Sequence, residues 1–314
     1  QVFILEENNM KRILSAILVL VLALSLAACG SSAGTPAAST APSETPEAVE
    51  EAAPEAVEEA AEEAAEEAAE PVTVRIGLTG AVYEPIWDVV KEKLAPEGII
   101  LEYVQFNNFS LPNNALNNGE IEINAFQHHA FFNNDTASNG YDLTAIGDTY
   151  IVAMGIFSGK LEDLSELKDG DLVGVPNDVT NEGRALKLLE SAGLVEINPD
   201  AGSSPAINDI TSNPLNLKFQ EVDANLVPSI LPDVAIAVVN GNYAADAGLK
   251  ADEALYMENE YADNSYYCLI AVRTEDAENP VYQRIVEAYQ CDEVIEVYNT
   301  QFAGLFTPTW KLAD

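Results

Sequence analysis

Residues 72–106 read VTVRIGLTGAVYEPIWDVVKEKLAPEGIILEYVQF, and this stretch decides the fold class. Apolar and polar side chains alternate over residues 72–78, a period of two that predicts a β-strand. Apolar residues then recur at helical spacing over residues 86–94, which predicts an amphipathic helix. The helix is expected to end near the Pro-Glu-Gly sequence at 96–98, and residues 99–106 are expected to form a second strand. A strand, a helix and a second strand in this order predict a βαβ unit.

The same alternation of strands and helices continues towards the C-terminus. Three further apolar runs are expected to be buried strands, at residues 121–126, 172–175 and 234–239. Ser110 is expected to cap a short helix that stops at Gly119, and a helix with an apolar face at 185–192 is expected to be closed by Gly193. Strands that alternate with helices predict an α/β protein with right-handed crossovers.

The N-terminal segment has the pattern of a secretory signal. The basic sequence Met-Lys-Arg at 10–12 precedes an apolar run at 13–28, which is too short to cross a hydrocarbon core of about 30 Å at about 1.5 Å per residue. Residues 1–28 are therefore predicted to be a signal peptide, with 1–9 as an extension upstream of its start. The sequence Leu-Ala-Ala-Cys-Gly that ends the run resembles the bacterial lipobox, so Cys29 is expected to carry a lipid. An ordinary secretory signal with an incidental cysteine is the alternative.

Residues 31–70 differ abruptly in composition from the rest of the chain. They contain Ser, Thr and Pro and then Glu/Ala repeats, with neither lysine nor arginine. Such a segment buries too little apolar area to offset its ordering entropy. Together with Cys29, residues 29–70 are predicted to be a lipid-anchored, disordered and partly helical tether, and an acidic interaction tail is the alternative.

The net charge and the cysteine and histidine content argue against several classes of function. The formal net charge of −38 argues against binding to nucleic acid. With Cys29 assigned to the lipid, Cys268 and Cys291 remain, and they are expected to be free thiols, although one disulfide is possible. His128 and His129 are the only histidines, and adjacent residues face different directions, so no metal site is predicted. The chain contains no nucleophile elbow, Walker loop or Gly-rich dinucleotide turn, and no cofactor or catalytic activity is expected.

Polar and aromatic clusters follow the predicted strands, at the edge where open α/β sheets bind ligands. The clusters are FNNFSLPN at 106–113, NAFQHH at 124–129, VPNDVTNEGR at 175–184 and AVVN at 237–240. These stretches, together with YQCDEV at 289–294, resemble the methionine-binding lipoproteins of the MetQ/NlpA family. The likeness extends over about 72–304, and the second and third clusters carry its most specific motifs.

The resemblance implies a periplasmic-binding-protein fold with two α/β lobes, crossover strands and a ligand cleft between the lobes. On this chain, lobe 1 would comprise residues 71–156 plus 261–314, and lobe 2 would comprise residues 157–260. The family role would be that of a substrate-binding lipoprotein of an ABC importer. Such a protein binds methionine or a related amino acid and delivers it to a permease and its ATPase, while its lipid anchor holds it at the extracytoplasmic face of the cell membrane.

The resemblance also implies polar ligand-binding residues. Arg184, expected in the first turn of a helix, would grip the carboxylate of an amino acid with two parallel hydrogen bonds. Its alternative role is an ion pair with a surface carboxylate such as Glu182. Asn240 can accept a hydrogen bond from an α-ammonium group and donate one to a carboxylate, and its alternative role is a turn beside Gly241.

The resemblance also implies an apolar wall that contacts the side chain of the ligand. It would comprise Phe109, Phe126, His128 and Phe131, with sulfur–aromatic contacts if the ligand is methionine. Where the family typically has tyrosine this chain has Phe109, and where it typically has asparagine this chain has Cys268. A dipeptide or another hydrophobic amino acid therefore stays open as the ligand. Two other functions stay open as well: an envelope scaffold or adhesion lipoprotein, and a hydrolase-type enzyme that uses Cys268 or His128.

Overall fold

The computed structural model of the protein describes residues 70–261, 263–302 and 305–312. The predicted signal peptide, the lipidation of Cys29 and nearly all of the tether lie outside these residues. Within the described part of the chain, no helix combines the length and the apolar character needed to cross a membrane.

Fourteen strands and seven α-helices are found in the described residues. The strands are β1 Val72–Thr79, β2 Ile99–Phe106, β3 Ile123–Asn124, β4 Leu143–Asp148, β5 Tyr150–Val152, β6 Gly155–Phe157, β7 Leu172–Pro176, β8 Glu196–Ile197, β9 Ile210–Ser212, β10 Lys218–Val222, β11 Ile236–Val239, β12 Tyr256–Met257, β13 Leu269–Arg273 and β14 Phe306–Pro308. The helices are α1 Glu84–Leu94, α2 Pro112–Asn117, α3 His129–Asn139, α4 Val179–Ser191, α5 Gly241–Asp246, α6 Pro280–Tyr289 and α7 Asp292–Gln301. Eight short 3-10 helices occur between them, and the longest is Ala224–Ile230.

Two five-stranded sheets organise the described residues. The first has the order β2-β1-β3-β13-β4, with β1 parallel to both β2 and β3, and β13 antiparallel to β3 and β4. The second has the order β10-β7-β11-β6-β12, with β7 parallel to β10 and β11, and β6 antiparallel to β11 and β12. The parallel pairs confirm the α/β prediction. The antiparallel pairs were not predicted, because the sequence pattern does not distinguish antiparallel from parallel strands.

The chain passes between the two sheets twice. It leaves the first sheet after β4 and enters the second at β6, and it returns from β12 to β13. Strand β5 lies on the first passage, where it pairs with β14 near the C-terminus. The second sheet begins at Gly155, two residues before the predicted limit at 157, and the lobe limits themselves stay a prediction.

The opening βαβ unit forms as its residues dictate. Strand β1 pairs in register with β2 from Val72 against Ile99 to Thr79 against Phe106, which confirms both predicted strands. Helix α1 buries Ile86, Trp87, Val90 and Leu94 on one face. A 3-10 turn follows it, and the chain then reverses at Gly98, whose φ of 76° lies in the left-handed region that glycine tolerates.

Two local predictions were wrong. Ser110 does not cap helix α2, because Leu111 occupies the N-cap position. Pro112 lies in the first turn, where a backbone N–H has no acceptor within the helix, so the N–H that proline lacks breaks no helical hydrogen bond. The run at 121–126 forms only the two-residue strand Ile123–Asn124, although the chain stays beside β13 up to His128, just before helix α3 begins.

Each sheet has its own buried core. The core of the first includes Trp87 and Tyr289, whose ring centroids are 4.8 Å apart. The core of the second includes Val173, Leu189 and Val238, all fully or almost fully buried. The carboxyl ends of the parallel strands of both sheets carry the residues of the site described next.

Candidate functional site

A small cavity of about 20 Å³ lies at the carboxyl ends of strands from both sheets. Its lining includes all seven residues named from the sequence: Phe109, Phe126, His128, Phe131, Arg184, Asn240 and Cys268. Five others complete it: Tyr83, Gln127, Val152, Asn181 and Asn242. This space is room for about one water molecule, so the two walls must move apart to admit a ligand of amino-acid size.

Three phenylalanine rings form one wall of the cavity. Phe109 follows β2, while Phe126 and Phe131 lie after β3 and on α3. Their ring centroids are 5.9 Å apart for Phe109 with each of the others, and 6.0 Å apart for Phe126 with Phe131. These separations are typical of favourable aromatic contacts, so the rings form a continuous apolar surface.

A buried cluster of neutral amides holds this wall in place. Asn113 on α2 donates to Gln127 Oε1 and accepts from both Gln127 and Asn124 at 2.6–2.9 Å. It also donates to the half-buried carboxylate of Asp135 at 2.8 Å. All three amides are at least 97% buried, so each bond replaces one that water would have made. The cluster determines the path of the chain between Phe126 and His128.

The side chain of His128 contacts a residue of the second wall across the cavity. Its Nδ1 accepts a hydrogen bond from the backbone N–H of Phe131, and its Nε2 lies 3.3 Å from Asn181 Oδ1. Since the amide oxygen can only accept, Nε2 carries the hydrogen. Burial, followed by the nearby charge of Arg184, lowers the pKa of His128 to about 3. The imidazole is therefore neutral at physiological pH, and it faces away from His129, which contacts Asp148 at 2.7 Å.

Asn181 on α4 connects His128 to Asn240. Its Nδ2 donates to both carboxylate oxygens of Asp178, the residue that caps the helix, at 3.0 Å. Its Oδ1 accepts from Asn240 Nδ2 at 2.7 Å as well as from His128. The amide nitrogen of Asn240 is thereby used, and its Oδ1 is buried with no partner in the described part of the chain.

Asn242 supplies a second unpaired atom. Its side chain is 98% buried, and its Nδ2 donates to nothing among the described residues. Asn240 is the N-cap residue of α5, next to Gly241, and its side chain makes no cap bond. Gly241 lies against the passage between the sheets, since a Cβ there would be 2.3 Å from the carbonyl oxygen of Ala153. One acceptor and one donor, both buried and both unpaired, thus line the cavity.

Arg184 lies in the second turn of α4, not in the first turn as predicted. The helix begins at Val179 because Asp178 accepts from the backbone N–H of Asn181, which starts the helix six residues before the apolar face at 185–192. The direct field of the helix N-terminus therefore acts on Asp178 and its neighbours, since it falls off within the first turn.

The guanidinium of Arg184 has a carboxylate partner within the protein. Its Nε donates to Glu258 Oε1 at 2.9 Å, its Nη2 donates to Glu258 Oε2, and Nη2 also donates to the carbonyl of Val152 at 2.8 Å. The plane of the group lies over the ring of Tyr266 at 4.4 Å. Glu182, the partner considered from the sequence, accepts instead from the backbone N–H of Ile207. Nη1 makes no hydrogen bond to any residue that the structure describes.

Cys268 is a buried thiol at the edge of the cavity. It is 96% buried, and burial raises the pKa of its thiol to about 12, so the sulfur is protonated at neutral pH. Cys268 and Cys291 are both free, which confirms the expectation of free thiols. No hydrogen bond joins Cys268 to His128 in the described ranges, and a protonated thiol is a poor nucleophile. The enzyme alternative therefore gains no support from this pair.

Sequence reasoning missed several residues of the site. Gln127 and Asn181 lie inside the two motifs that carried the resemblance, so their positions were available although their roles were not. Glu258 is 74 residues from Arg184 in the chain, and nothing in its local sequence indicates a buried partner. Tyr83 and Asn242 likewise have no local signal.

Known proteins share this sequence and architecture. The profile of the NlpA lipoprotein family matches residues 74–310. The D-methionine-binding lipoprotein MetQ of Escherichia coli O157:H7 is 38% identical over 242 residues, which cover 76% of this chain and 88% of the relative.

Solved structures match the fold over most of their length. A nutrient binding protein from Burkholderia cenocepacia bound to methionine superposes with a TM-score of 0.71 at 35% identity, covering 75% of this chain and 99% of that chain. The substrate binding protein of a methionine transporter from Streptococcus pneumoniae superposes with a TM-score of 0.72 at 34% identity, covering 76% and 96% respectively. The predicted two-lobed α/β fold is confirmed.

Proposed function

The chain belongs to the NlpA lipoprotein family, and we propose that it is the substrate-binding lipoprotein of an ABC importer. Its ligand is methionine or a closely related amino acid, held in the cavity between the two sheets. The named relatives that bind methionine, at 34–38% identity over three quarters of the chain, support this proposal.

The pair of unpaired amide atoms carries the proposal. Asn240 Oδ1 is an acceptor suited to the α-ammonium group of an amino acid, and Asn242 Nδ2 is a donor suited to its carboxylate. A buried polar atom without a partner costs about 1–3 kcal/mol, so a zwitterionic head group that pairs with both atoms recovers that free energy on binding. The Nη1 group of Arg184 supplies a further donor for the carboxylate.

The opposite wall suits an apolar side chain. Phe109, Phe126 and Phe131 offer ring faces and edges to a thioether, and sulfur–aromatic contacts contribute about 0.3–1.5 kcal/mol each. His128 is neutral and adds its ring edge to that wall. Cys268 completes the lining with a protonated thiol, whose donor is weaker than an amide.

Closure of the two lobes is the proposed mechanism. A ligand that contacts the rings of lobe 1 (71–156 plus 261–314) and the amides of lobe 2 (157–260) stabilises the closed state by contacts that the open state lacks. The permease then recognises the closed form, and its ATPase powers transport. The lipid on Cys29 holds the protein at the extracytoplasmic face of the cell membrane, with residues 29–70 as the tether.

A thermal-shift screen of the full chain against the common amino acids tests this function. Methionine is expected to raise the melting temperature most, with leucine and norleucine next and aspartate and lysine without effect, because ligand binding stabilises only the folded state. No shift with any amino acid would contradict the proposal and would favour the scaffold or adhesion alternative.

A further inference from the structure

The ion pair between Arg184 and Glu258 is almost completely withdrawn from water. The two side chains are 3% and 10% exposed, and both oxygens of Glu258 accept from the guanidinium. Glu258 Oε2 also accepts from the backbone N–H of Met154 at 3.0 Å. This second bond holds the carboxylate on the outer side of Arg184, which itself lines the cavity.

The charges at the cavity therefore sum to about zero. Among the lining residues, all of which the structure describes, Arg184 is the one with a full charge, since His128 is neutral and Cys268 is protonated. Glu258 cancels that charge at hydrogen-bond distance. Asp178 hydrogen-bonds to the lining residue Asn181, and its charge is offset by that amide and by the first N–H groups of α4. On the other side of the pair is a groove, where water screens the other charged residues of the lining: Lys187, Glu190, Glu260 and Asp263.

An uncompensated charge in such a site is costly. Coulomb interactions are several-fold stronger at the effective dielectric of a protein interior than in water, so the net charge of the cavity favours the ligand that leaves the complex neutral. Without Glu258, the guanidinium would favour an anion. With Glu258 in place, a ligand that brings equal and opposite charges is preferred over an anion of the same shape.

We propose that Glu258 is a specificity-determining residue that makes this cavity select zwitterionic amino acids over anionic analogues of the same size. The inference rests on the proposed function and adds the charge class of the ligand to it. Both partners of the ion pair are attached to the second sheet, Arg184 through α4 after β7 and Glu258 directly after β12. The charge balance is consequently present before the aromatic wall closes on a ligand.

Three probes of nearly equal size test the inference by titration calorimetry on the full chain at neutral pH. They are L-methionine with no net charge, 2-hydroxy-4-(methylthio)butanoate with one negative charge, and methioninamide with one positive charge. The wild-type protein is expected to bind methionine most tightly. In Glu258→Gln, the ratio of hydroxy-acid to methionine affinity is expected to rise by about tenfold or more, which corresponds to about 1.4 kcal/mol.

Two variants serve as controls for this shift. Glu182→Gln removes a carboxylate from the same helix that does not touch Arg184, and it is expected to leave the affinity ratio within about twofold of wild type. Glu258→Asp keeps the negative charge, and it is expected to keep the preference for methionine even if all affinities fall.

A reciprocal variant keeps the test decisive if Glu258→Gln does not fold. Arg184→Gln leaves the carboxylate as the unbalanced charge, so the preference is expected to move towards methioninamide. Equal changes in the affinities for all three probes, in whichever variant folds, would show that the pair acts only on structure and would overturn the inference. Failure of the wild-type protein to bind methionine would instead overturn the proposed function, and this inference with it.

Discussion

The two walls of the cavity differ in their chemistry. The wall after the first sheet consists of three phenylalanine rings supported by neutral amides, with Asn113 at their centre. The wall after the second sheet consists of a buried ion pair and a chain of amides that ends in unpaired atoms. Under the proposed function, the first wall would accept any apolar side chain of suitable size, whereas the second would distinguish head groups. We therefore expect the selectivity of the site to lie mainly on the second sheet.

The two walls also differ in what a substitution costs the fold. Neutral amide bonds contribute about 1 kcal/mol each, and their loss leaves small unpaired groups. A buried ion pair contributes little net stability, yet removing one partner leaves a buried charge. Substitutions on the second wall are therefore expected to change stability and binding together, unless the atom removed had no protein partner.

Arg184→Ala is expected to have the largest effect. Glu258 would remain buried without its partner, which should lower the free energy of unfolding by about 3–5 kcal/mol. Loss of a charged donor to the ligand should weaken methionine binding by about ten- to a hundredfold. Chemical denaturation and calorimetry measure the two effects.

Arg75→Ala is the matched control, because Arg75 pairs with Glu122 at the surface of the first sheet and is 40% exposed. It should cost less than about 1 kcal/mol and leave binding unchanged. Equal losses of stability in the two variants would remove the contrast between a buried and a surface pair.

Asn242→Ala should separate binding from stability. Its Nδ2 has no partner among the residues described, so the free energy of unfolding should change by less than about 1 kcal/mol. If the ligand carboxylate accepts from this atom, affinity for methionine should fall by about ten- to a hundredfold. Calorimetry beside thermal denaturation of the ligand-free protein checks both values, and an unchanged affinity would remove Asn242 from the head-group site.

The pH dependence of the free energy of unfolding tests whether His128, which contacts Asn181 on the other wall, is buried and neutral. His128 has a pKa of about 3 in the folded protein, below the ordinary value of about 6.5 for an unfolded chain. Only the unfolded state takes up this proton between the two values, so the stability that His128 contributes is complete above about pH 6.5 and is lost as the pH falls towards 3. Between about pH 7 and pH 5 the loss should be about 2 kcal/mol.

Comparison with His128→Gln isolates that contribution. The variant keeps every other titrating group, including the half-buried carboxyl of Asp135, whose pKa is raised by desolvation and which acts in the opposite direction. The wild-type protein should lose about 2 kcal/mol more than the variant over this range in urea unfolding series. Parallel pH profiles would show that the imidazole is not desolvated in solution.

Phe109→Leu should have the smallest effect and should change only the contacts with the side chain of the ligand. Leucine keeps the apolar area but removes the ring that contacts Phe126, Phe131 and Tyr243. Methionine should bind about threefold more weakly, and norleucine, which has no sulfur, should be almost unaffected, because only the sulfur–aromatic contact is lost. Equal losses for both ligands would show that the wall acts by shape and not by its aromatic character.

Periodicity predicted the βαβ opening well because both elements bury their apolar faces locally. Residues 72–106 contain the strand, the helix and the second strand at the expected positions, and β1 and β2 pair with each other. The strand expected at 121–126 is shorter in the structure, and beside it the side-chain amides of Asn113, Asn124 and Gln127 bond to one another. Periodicity contains no information about such a cluster.

The sequence by itself determined the α/β class, the order of the first elements and the motifs that line the cavity. Only the tertiary structure decided which polar atoms of those motifs are already paired. Arg184 is matched by Glu258 across 74 residues. The amide nitrogen of Asn240 donates to Asn181, while its oxygen has no partner among the residues that the structure describes. The physical reason is that hydrogen bonds and ion pairs depend on distances of about 3 Å between atoms that the chain brings together from remote positions.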